Sequence, residues 1–189
     1  MTKITAAHSM SLDGFIDSPL LHDWLRAGDT PSQVNPAFTM SAPSAQFFDE
    51  GVSRCGAVIA GRRTYDVSGA WGGSGPMPPL PLFVVTHRVP GTVPPGQPPY
   101  TFVTTGIEHA VAQARTAAAG RDVVLMGASI VQQCLTAGLL DELIISLVPM
   151  VLGRGVRLLG NLAPASAEFS LAGVVDAPGV THLTYQIVY

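Results

Sequence analysis

At 189 residues and 19.7 kDa the chain is long enough for one domain, and a domain near that size buries roughly 70% of its unfolded surface. With 47% hydrophobic and only 12% charged residues, and a mean hydropathy of +0.35, it is too apolar for intrinsic disorder. A net charge of −3 excludes the basic face that a nucleic-acid binder needs, and no apolar run approaches the ~18 residues of a membrane span.

A surface so short of charge is expected to be covered in part by a second copy of the chain, so a homodimer is predicted. The other expected partner is a small-molecule substrate. The two cysteines, Cys55 and Cys134, stand in apolar surroundings with no Cys/His cluster, which disfavours both a disulfide framework and zinc. The first residues show no long apolar stretch of signal-peptide type, so a cytoplasmic protein is expected.

In chain order, Ile4–Met10 reads as a strand closed by the Asp13-Gly14 turn. Residues 18–42 are rich in turn formers, with a short helix expected at Leu20–Arg26. A helix follows over Pro43–Arg54, with Ser44 as its expected cap. Gly56–Ala60 is too short for a helix and reads as a buried strand. Gly61-Arg62-Arg63-Thr64 then opens a helical turn. The next strand is Leu82–Thr86, and the Pro-rich stretch 90–99 leads to another at Tyr100–Val103. Helical spacing returns at Ile107–Ala119, followed by a strand at Asp122–Met126 and a helix at Ile130–Ala137. Leu143–Val151 is a long apolar strand, a second reason to expect a homodimer. Strands Glu168–Val175 and Thr181–Tyr189 form a terminal hairpin. Strands alternating with helices over 43–151 imply a mainly parallel sheet flanked by helices, with the antiparallel hairpin at one end. The prediction is one α/β domain over residues 1–189.

Several chemistries fall to inspection. The only lysine is Lys3, so no Walker A loop exists, and GxGxxG, GxSxG and HExxH are all missing. What remains lies at the carboxyl ends of parallel strands, where open α/β sheets bind ligands. Gly61-Arg62-Arg63-Thr64, Thr86-His87-Arg88 and Gly127-Ala128-Ser129 each end a strand. Arginines hold phosphate oxygens by bidentate hydrogen bonds, and the helix after Gly127 offers free N–H groups and a positive dipole end. Three such positions on one sheet edge suit a dinucleotide with an extra phosphate.

The order of these motifs resembles the bacterial dihydrofolate reductase-like family that includes the reductase domain of the riboflavin-biosynthesis protein RibD. The resemblance is carried by Ser11–Asp17, Gly61–Asp66, Phe83–Arg88, Gly127–Val131, Asp141–Leu143 and Leu147–Gly153, with His22-Asp23-Trp24 like the stand-alone branch. It implies a dihydrofolate reductase-like α/β fold that binds NADPH without a Rossmann fingerprint. By the same resemblance, Ala7 and Ile16 would flank the nicotinamide. Gly61, Arg62, Arg63 and Thr64 would line the phosphate and ribose region, and Thr86, His87 and Arg88 the adenosine ribose and its 2′-phosphate. Gly127, Ala128, Ser129, Ile130 and Val131 would wrap the pyrophosphate. One departure is visible. Dihydrofolate reductases carry an acidic residue on the helix before this motif, and the same spacing here lands near Ser44-Ala45, with Asp49 and Glu50 a turn later.

Hydride transfer needs alignment and exclusion of water more than acid–base residues. Asp13 is the candidate catalytic residue, to orient substrate or relay a proton. Trp24, Phe47, Phe48 and Trp71 are candidates to line a planar substrate's pocket, with Phe48 and Trp71 taken as substrate-binding. Val131, Cys134, Leu135 and Leu139 read as core. The expected function is NADPH-dependent reduction of a small planar compound (pterin-, pyrimidine- or drug-like). A non-catalytic ligand-binding module on the same fold, or a folate reductase lacking its usual carboxylate, stay open as alternatives.

Overall fold

The computed structural model describes residues 2–96, 100–160, 162 and 167–189. The last three residues of the Pro-rich stretch 90–99 lie outside it. In chain order the elements are β1 (Ile4–Ser11), a 3-10 turn (Pro19–Arg26), β2 (Thr30–Pro31), β3 (Thr39–Met40), α1 (Ala42–Ser53), β4 (Cys55–Gly61), α2 (Arg62–Val67), a turn at Gly69–Gly73, β5 (Leu82–Val85), β6 (Thr101–Val103), α3 (Ile107–Ala117), β7 (Asp122–Met126), α4 (Ala128–Thr136), β8 (Glu142–Val148), β9 (Glu168–Ala177) and β10 (Val180–Val188). Every strand and helix expected from the sequence is present, with ends shifted by a few residues.

One eight-stranded sheet has the order β6-β5-β4-β7-β1-β8-β10-β9. The strands from β6 to β8 pair in parallel, and β10 pairs antiparallel to both β8 and β9. This is a mainly parallel sheet with helices and an antiparallel hairpin at one end.

Burial on both faces explains the short apolar strands. β4 is covered along six of its seven residues, as parallel strands under crossover helices must be. On one face α3 and α4 contribute Ala110, Val111, Ala114, Ile130, Val131, Cys134 and Leu135 to the main core with Ile4, Ala6, Leu125 and Leu143. Gly56 allows the closest of these approaches, because a Cβ there would meet the Ala118 carbonyl and Arg121. α1 lies on the opposite face, and its Phe47 ring stacks on His182 of β10 at 4.4 Å.

Two expectations change here. Ser44 does not cap α1: the helix begins at Ala42 with Pro43 in its first turn, so Ser41 holds the cap position. Ser44 is buried inside the helix instead. The apolar run in β8 is accounted for within the chain, since β8 lies between β1 and β10 and is buried at six of seven residues.

The amino ends of the central strands are joined by a buried carboxylate. Glu142 accepts from Lys3 Nζ at 2.9 Å, Arg54 Nη2 at 3.0 Å and Gln186 Nε2 at 2.8 Å. Burial pushes its pKa up, but donation from Lys3 and Gln186 and the Arg54 charge outweigh that and hold it below the usual carboxylate range. Among the described residues no helix is long and apolar enough to cross a membrane.

Candidate active site

The carboxyl ends of β5, β4 and β7 are adjacent and parallel, so the three motifs share one edge of the sheet. Their side chains divide into braces and free groups. Arg62 is a brace, contrary to its expected role as a ligand arginine. Its Nε donates to both Asp66 carboxylate oxygens at 2.9 Å, and its Nη1 to the Arg88 carbonyl at 2.8 Å and Thr86 Oγ1 at 3.4 Å. Thr86 is also occupied: its hydroxyl donates to the Arg88 carbonyl at 2.8 Å and accepts from the Arg88 N–H at 3.3 Å. Together they shape the β5 loop and leave Arg63, His87 and Arg88 exposed to solvent.

Gly127 sits at the start of α4 with φ +98°, and a Cβ there would overlap the Thr64 hydroxyl. Only glycine lets the β7–α4 turn approach α2 so closely. Just after it, the Ile130 and Val131 N–H groups both bond the Gly127 carbonyl. The Ala128 and Ser129 N–H groups have no partner among the described residues. The Ile130 and Val131 side chains are buried in the core, and Ile130 packs over Gly61. Their expected place around a pyrophosphate therefore reduces to the two free N–H groups of the residues just before them. Free N–H groups at a helix start, a glycine cradle and three exposed cationic or imidazole side chains fit a phosphorylated dinucleotide.

Beside this edge a cleft of about 780 Å³ runs along the α1 face of the sheet. Ala7 and Ile16 both line it, with Met126 from β7 and Trp24, Phe47 and Phe48 from the other wall. Trp71 does not line it. The Gly69–Gly73 turn is left-handed at Ala70 and Trp71, which directs the indole onto the Tyr65 and Tyr100 cluster; residues 76–80 form that side of the cleft instead. The segment before α1 is tied down as a wall, since Asp49 accepts from Ser32 Oγ at 2.5 Å and from the Gln33 N–H at 2.9 Å. Glu50 accepts from Gln46 on the exposed side of α1. Neither carboxylate of α1 therefore serves as an acidic clamp for a pterin. Ser44, at the position expected for that clamp, bonds His182.

Asp13 is also reassigned. Its carboxylate accepts from the Ser11 hydroxyl at 2.6 Å and from the Leu152 and Gly153 N–H groups at 3.1 and 2.7 Å. The Ser11 bond, then those from Leu152 and Gly153, bring its pKa down to about 2. It is absent from the cleft lining. Held ionised by these bonds, the carboxylate clamps the 11–17 turn to the 150–158 loop. The same clamp includes Arg157, whose Nη1 donates to the Asp13 carbonyl at 2.9 Å while its guanidinium covers the Phe15 ring. The Ile16 N–H bonds Val156, so the clamp sets where Ile16 meets the cleft. Asp13→Asn is expected to lower the melting temperature and to leave the pH dependence of turnover unchanged, as scanning calorimetry and rate profiles will report. Because the folded pKa is depressed, the carboxylate's stabilisation is complete above its ordinary value of 3.8 and is lost as pH falls through about 2.

The sequence reading missed Ser9, Ser146 and His182, which form a buried polar row across β1, β8 and β10, with Ser9 and Ser146 lining the cleft. One signal was present: Ser146 is the only polar residue between Leu143 and Met150.

None of the curated protein sequences matches the chain. Among solved structures, a Shewanella sp. PV-4 protein assigned provisionally to riboflavin biosynthesis is 26% identical, with both chains covered in full and a TM-score of 0.73. A pyrimidine reductase-like protein from Corynebacterium diphtheriae is 12% identical over 100% of this chain and 92% of its own, with a TM-score of 0.65. Dihydrofolate reductase from Enterococcus faecalis, complexed with NADP(H), is 16% identical over 99% and 97%, with a TM-score of 0.60. The last two show a shared dihydrofolate reductase-like fold. Residues 2–183 match the family model of the RibD C-terminal domain. With a sheet of this order and that match across the chain, the protein is a member of the RibD C-terminal domain family.

Proposed function

We propose that the protein is an NADPH-dependent reductase of a small planar organic compound. The observation that carries this reading is the junction between the phosphate-friendly edge and the apolar cleft, where Ala7, Ile16 and Met126 line the cleft beside the Gly127 turn. NADPH, when bound, supplies the hydride for a C=N, C=C or C=O bond. The chain's own residues position and exclude water. The free N–H groups of Ala128 and Ser129 would hold the pyrophosphate, Arg88 and His87 the 2′-phosphate, and Arg63 the remaining phosphate oxygens. The apolar walls align the substrate with the nicotinamide, which is most of what hydride transfer asks. With Asp13 ionised and engaged, the proton comes from water.

Ligand-dependent oxidation of NADPH by the purified protein tests the reading directly, and nucleotide binding without any turnover would reduce it to a binding module. Hydrogen bonds to a charged group contribute about 1.5–3 kcal/mol. Arg88→Ala is therefore expected to weaken NADPH binding roughly ten- to a hundredfold and to leave NADH binding unchanged. Equal losses for both nucleotides in a fluorescence titration would remove the 2′-phosphate assignment. Folate reduction is disfavoured by the engagement of Asp49 and Glu50 away from the cleft.

A homodimer formed through the hairpin belongs to the same proposal. Edge strand β9 exposes Phe169, Leu171 and Val174, and Val188 and Tyr189 of the last strand's end are more than half exposed. Covering that row offsets the shortage of surface charge. Sedimentation at micromolar concentration should give a dimer of 19.7 kDa subunits; a monomer would refute it. Use of a soluble nucleotide suits a cytoplasmic protein.

A further inference from the structure

Ser9, Ser146 and His182 stand side by side on three strands. Ser9 of β1 is the register partner of Ser146 of β8, and Ser146 is that of His182 in β10. All three are buried, His182 completely. The ring lies between Phe47, stacked at 4.4 Å, and Trp24, edge-on at 4.9 Å. Its Nε2 is 3.0 Å from Ser44 Oγ, and its Nδ1 is 2.9 Å from Ser146 Oγ. Ser9 Oγ accepts from Trp24 Nε1–H at 3.0 Å. Ser9 and Ser146 line the cleft; Ser44 and His182 lie behind them.

The proton positions follow from what each hydroxyl has left to bond. Burial keeps the imidazole neutral, with its pKa brought down to about 4, so it carries one N–H and one acceptor nitrogen. Ser44 is 1% exposed, and His182 is its one side-chain partner among the described residues. An orphaned buried O–H costs more than an unfilled lone pair, so Ser44 donates to Nε2. The ring proton is then on Nδ1 and is donated to Ser146. Ser146, having accepted, keeps its own O–H, and the cleft is the space it lines. Ser9 likewise accepts, from the Trp24 indole N–H, and keeps its O–H. A third hydroxyl, Thr5 Oγ1 on the same strand, also lines the cleft and is buried without a partner.

We propose that His182 is a positioning residue that holds Ser146 as a hydrogen-bond donor toward the cleft, so that Ser9 and Ser146 together bind the acceptor edge of an uncharged planar substrate. Parallel neighbours set the two donors about 5 Å apart, a spacing suited to two acceptor atoms on one flat ring system. The polarity is the reverse of a carboxylate, which only accepts and so selects amino or amidinium edges. Arg54, Arg121 and Asp122 line the cleft at the opposite ends of the strands, where β4 and β7 begin. The inference rests on the reading of this cleft as the substrate side of a reductase, but its test does not need turnover.

Quinazoline-2,4-dione and 2,4-diaminoquinazoline share one skeleton and present opposite edges. Calorimetric titration of the full chain, with and without saturating NADPH, should show the dione binding about tenfold tighter or better, the factor expected from one net hydrogen bond of ~1.4 kcal/mol. Ser146→Ala, which removes the hydroxyl at the cost of one buried bond to His182, should abolish that preference, and His182→Phe, which keeps the ring between Phe47 and Trp24, should do the same. Long-range proton–nitrogen spectra of the imidazole should show a neutral ring protonated on Nδ1 at pH 6, a signature that a merely space-filling histidine has no reason to give. Preference for the diamine, no binding of either probe, an unchanged preference in Ser146→Ala, or a proton on Nε2 would each overturn the proposal. Dione binding without NADPH binding would leave it standing and remove the reductase reading. NADPH binding without a dione preference would do the opposite.

Discussion

Gly127→Val is expected to destabilise the protein by about 2–6 kcal/mol and to abolish nucleotide binding at the same time. Two separate costs add. The backbone at φ +98° and ψ 139° is a conformation that side chains other than glycine adopt only under strain, at about 1–3 kcal/mol. The new side chain also drives into Thr64 of α2, and overpacking of this kind adds about 1–3 kcal/mol. Relief of either cost moves the turn that presents the Ala128 and Ser129 N–H groups, so binding falls with stability. The two contributions are separable. Gly127→Ala combined with Thr64→Ala removes the overlap and retains the backbone strain, so it should recover part of the loss. Urea unfolding of the single and double variants measures both, and a Gly127→Val protein as stable as the wild type would contradict the geometry.

Acid should weaken the fold well before its carboxylates titrate. His8 and His182 both have pKa values lowered from 6.5 to about 4, His182 by burial alone and His8 by burial and then by the charge of His22. Both are neutral in the fold, whereas the unfolded chain takes up a proton at each site below its ordinary pKa. Stability is therefore greatest above pH 6.5 and is lost as pH falls from there toward 4. At about 1.4 kcal/mol per pH unit, His182 accounts for a loss on the order of 3 kcal/mol. His8 adds to the loss in the same direction, its Nε2 being buried without a partner. His182→Phe should be less stable than wild type at pH 8, because Ser44 and Ser146 lose their partner. It should also show a much flatter decline between pH 6.5 and 4.5. An unchanged slope in denaturant melts across that range would show that His182 is protonated in the native state.

These expectations depend on different layers of information. The strand positions follow from local apolar pattern, because β4, β5 and β8 are covered on both faces and so read as short apolar runs, while β7 buries alternate residues and turns Val124 and Met126 to the cleft. That the three motifs share one sheet edge was legible for a related reason. Parallel strands joined by crossover helices bring their carboxyl ends to one side, and the motifs at 61–64, 86–88 and 127–129 end three such strands.

Side-chain assignments inside those motifs were not legible in the same way. Arg62 and Arg88 belong to the same pattern of exposed arginines after a strand, yet Arg62 faces Asp66 one helical turn on and the β5 loop, which leaves its neighbour Arg63 free. Asp13 looks like a lone acid in a glycine turn until the 150–153 loop, some 140 residues away, supplies its N–H donors. Trp71 stands in a glycine-rich loop, where it packs in the Tyr65 cluster and does not line the cleft.

By itself the sequence determined the α/β class, the strand and helix order, the family and the sheet edge that carries the ligand motifs, because these depend on residue spacing and on connection rules local to each unit. Only the tertiary structure decided which polar groups are engaged and which are free, since hydrogen-bond partners are chosen by proximity in space. The row of Ser9, Ser146 and His182 comes from three strands separated by as many as 173 residues, joined by sheet register alone.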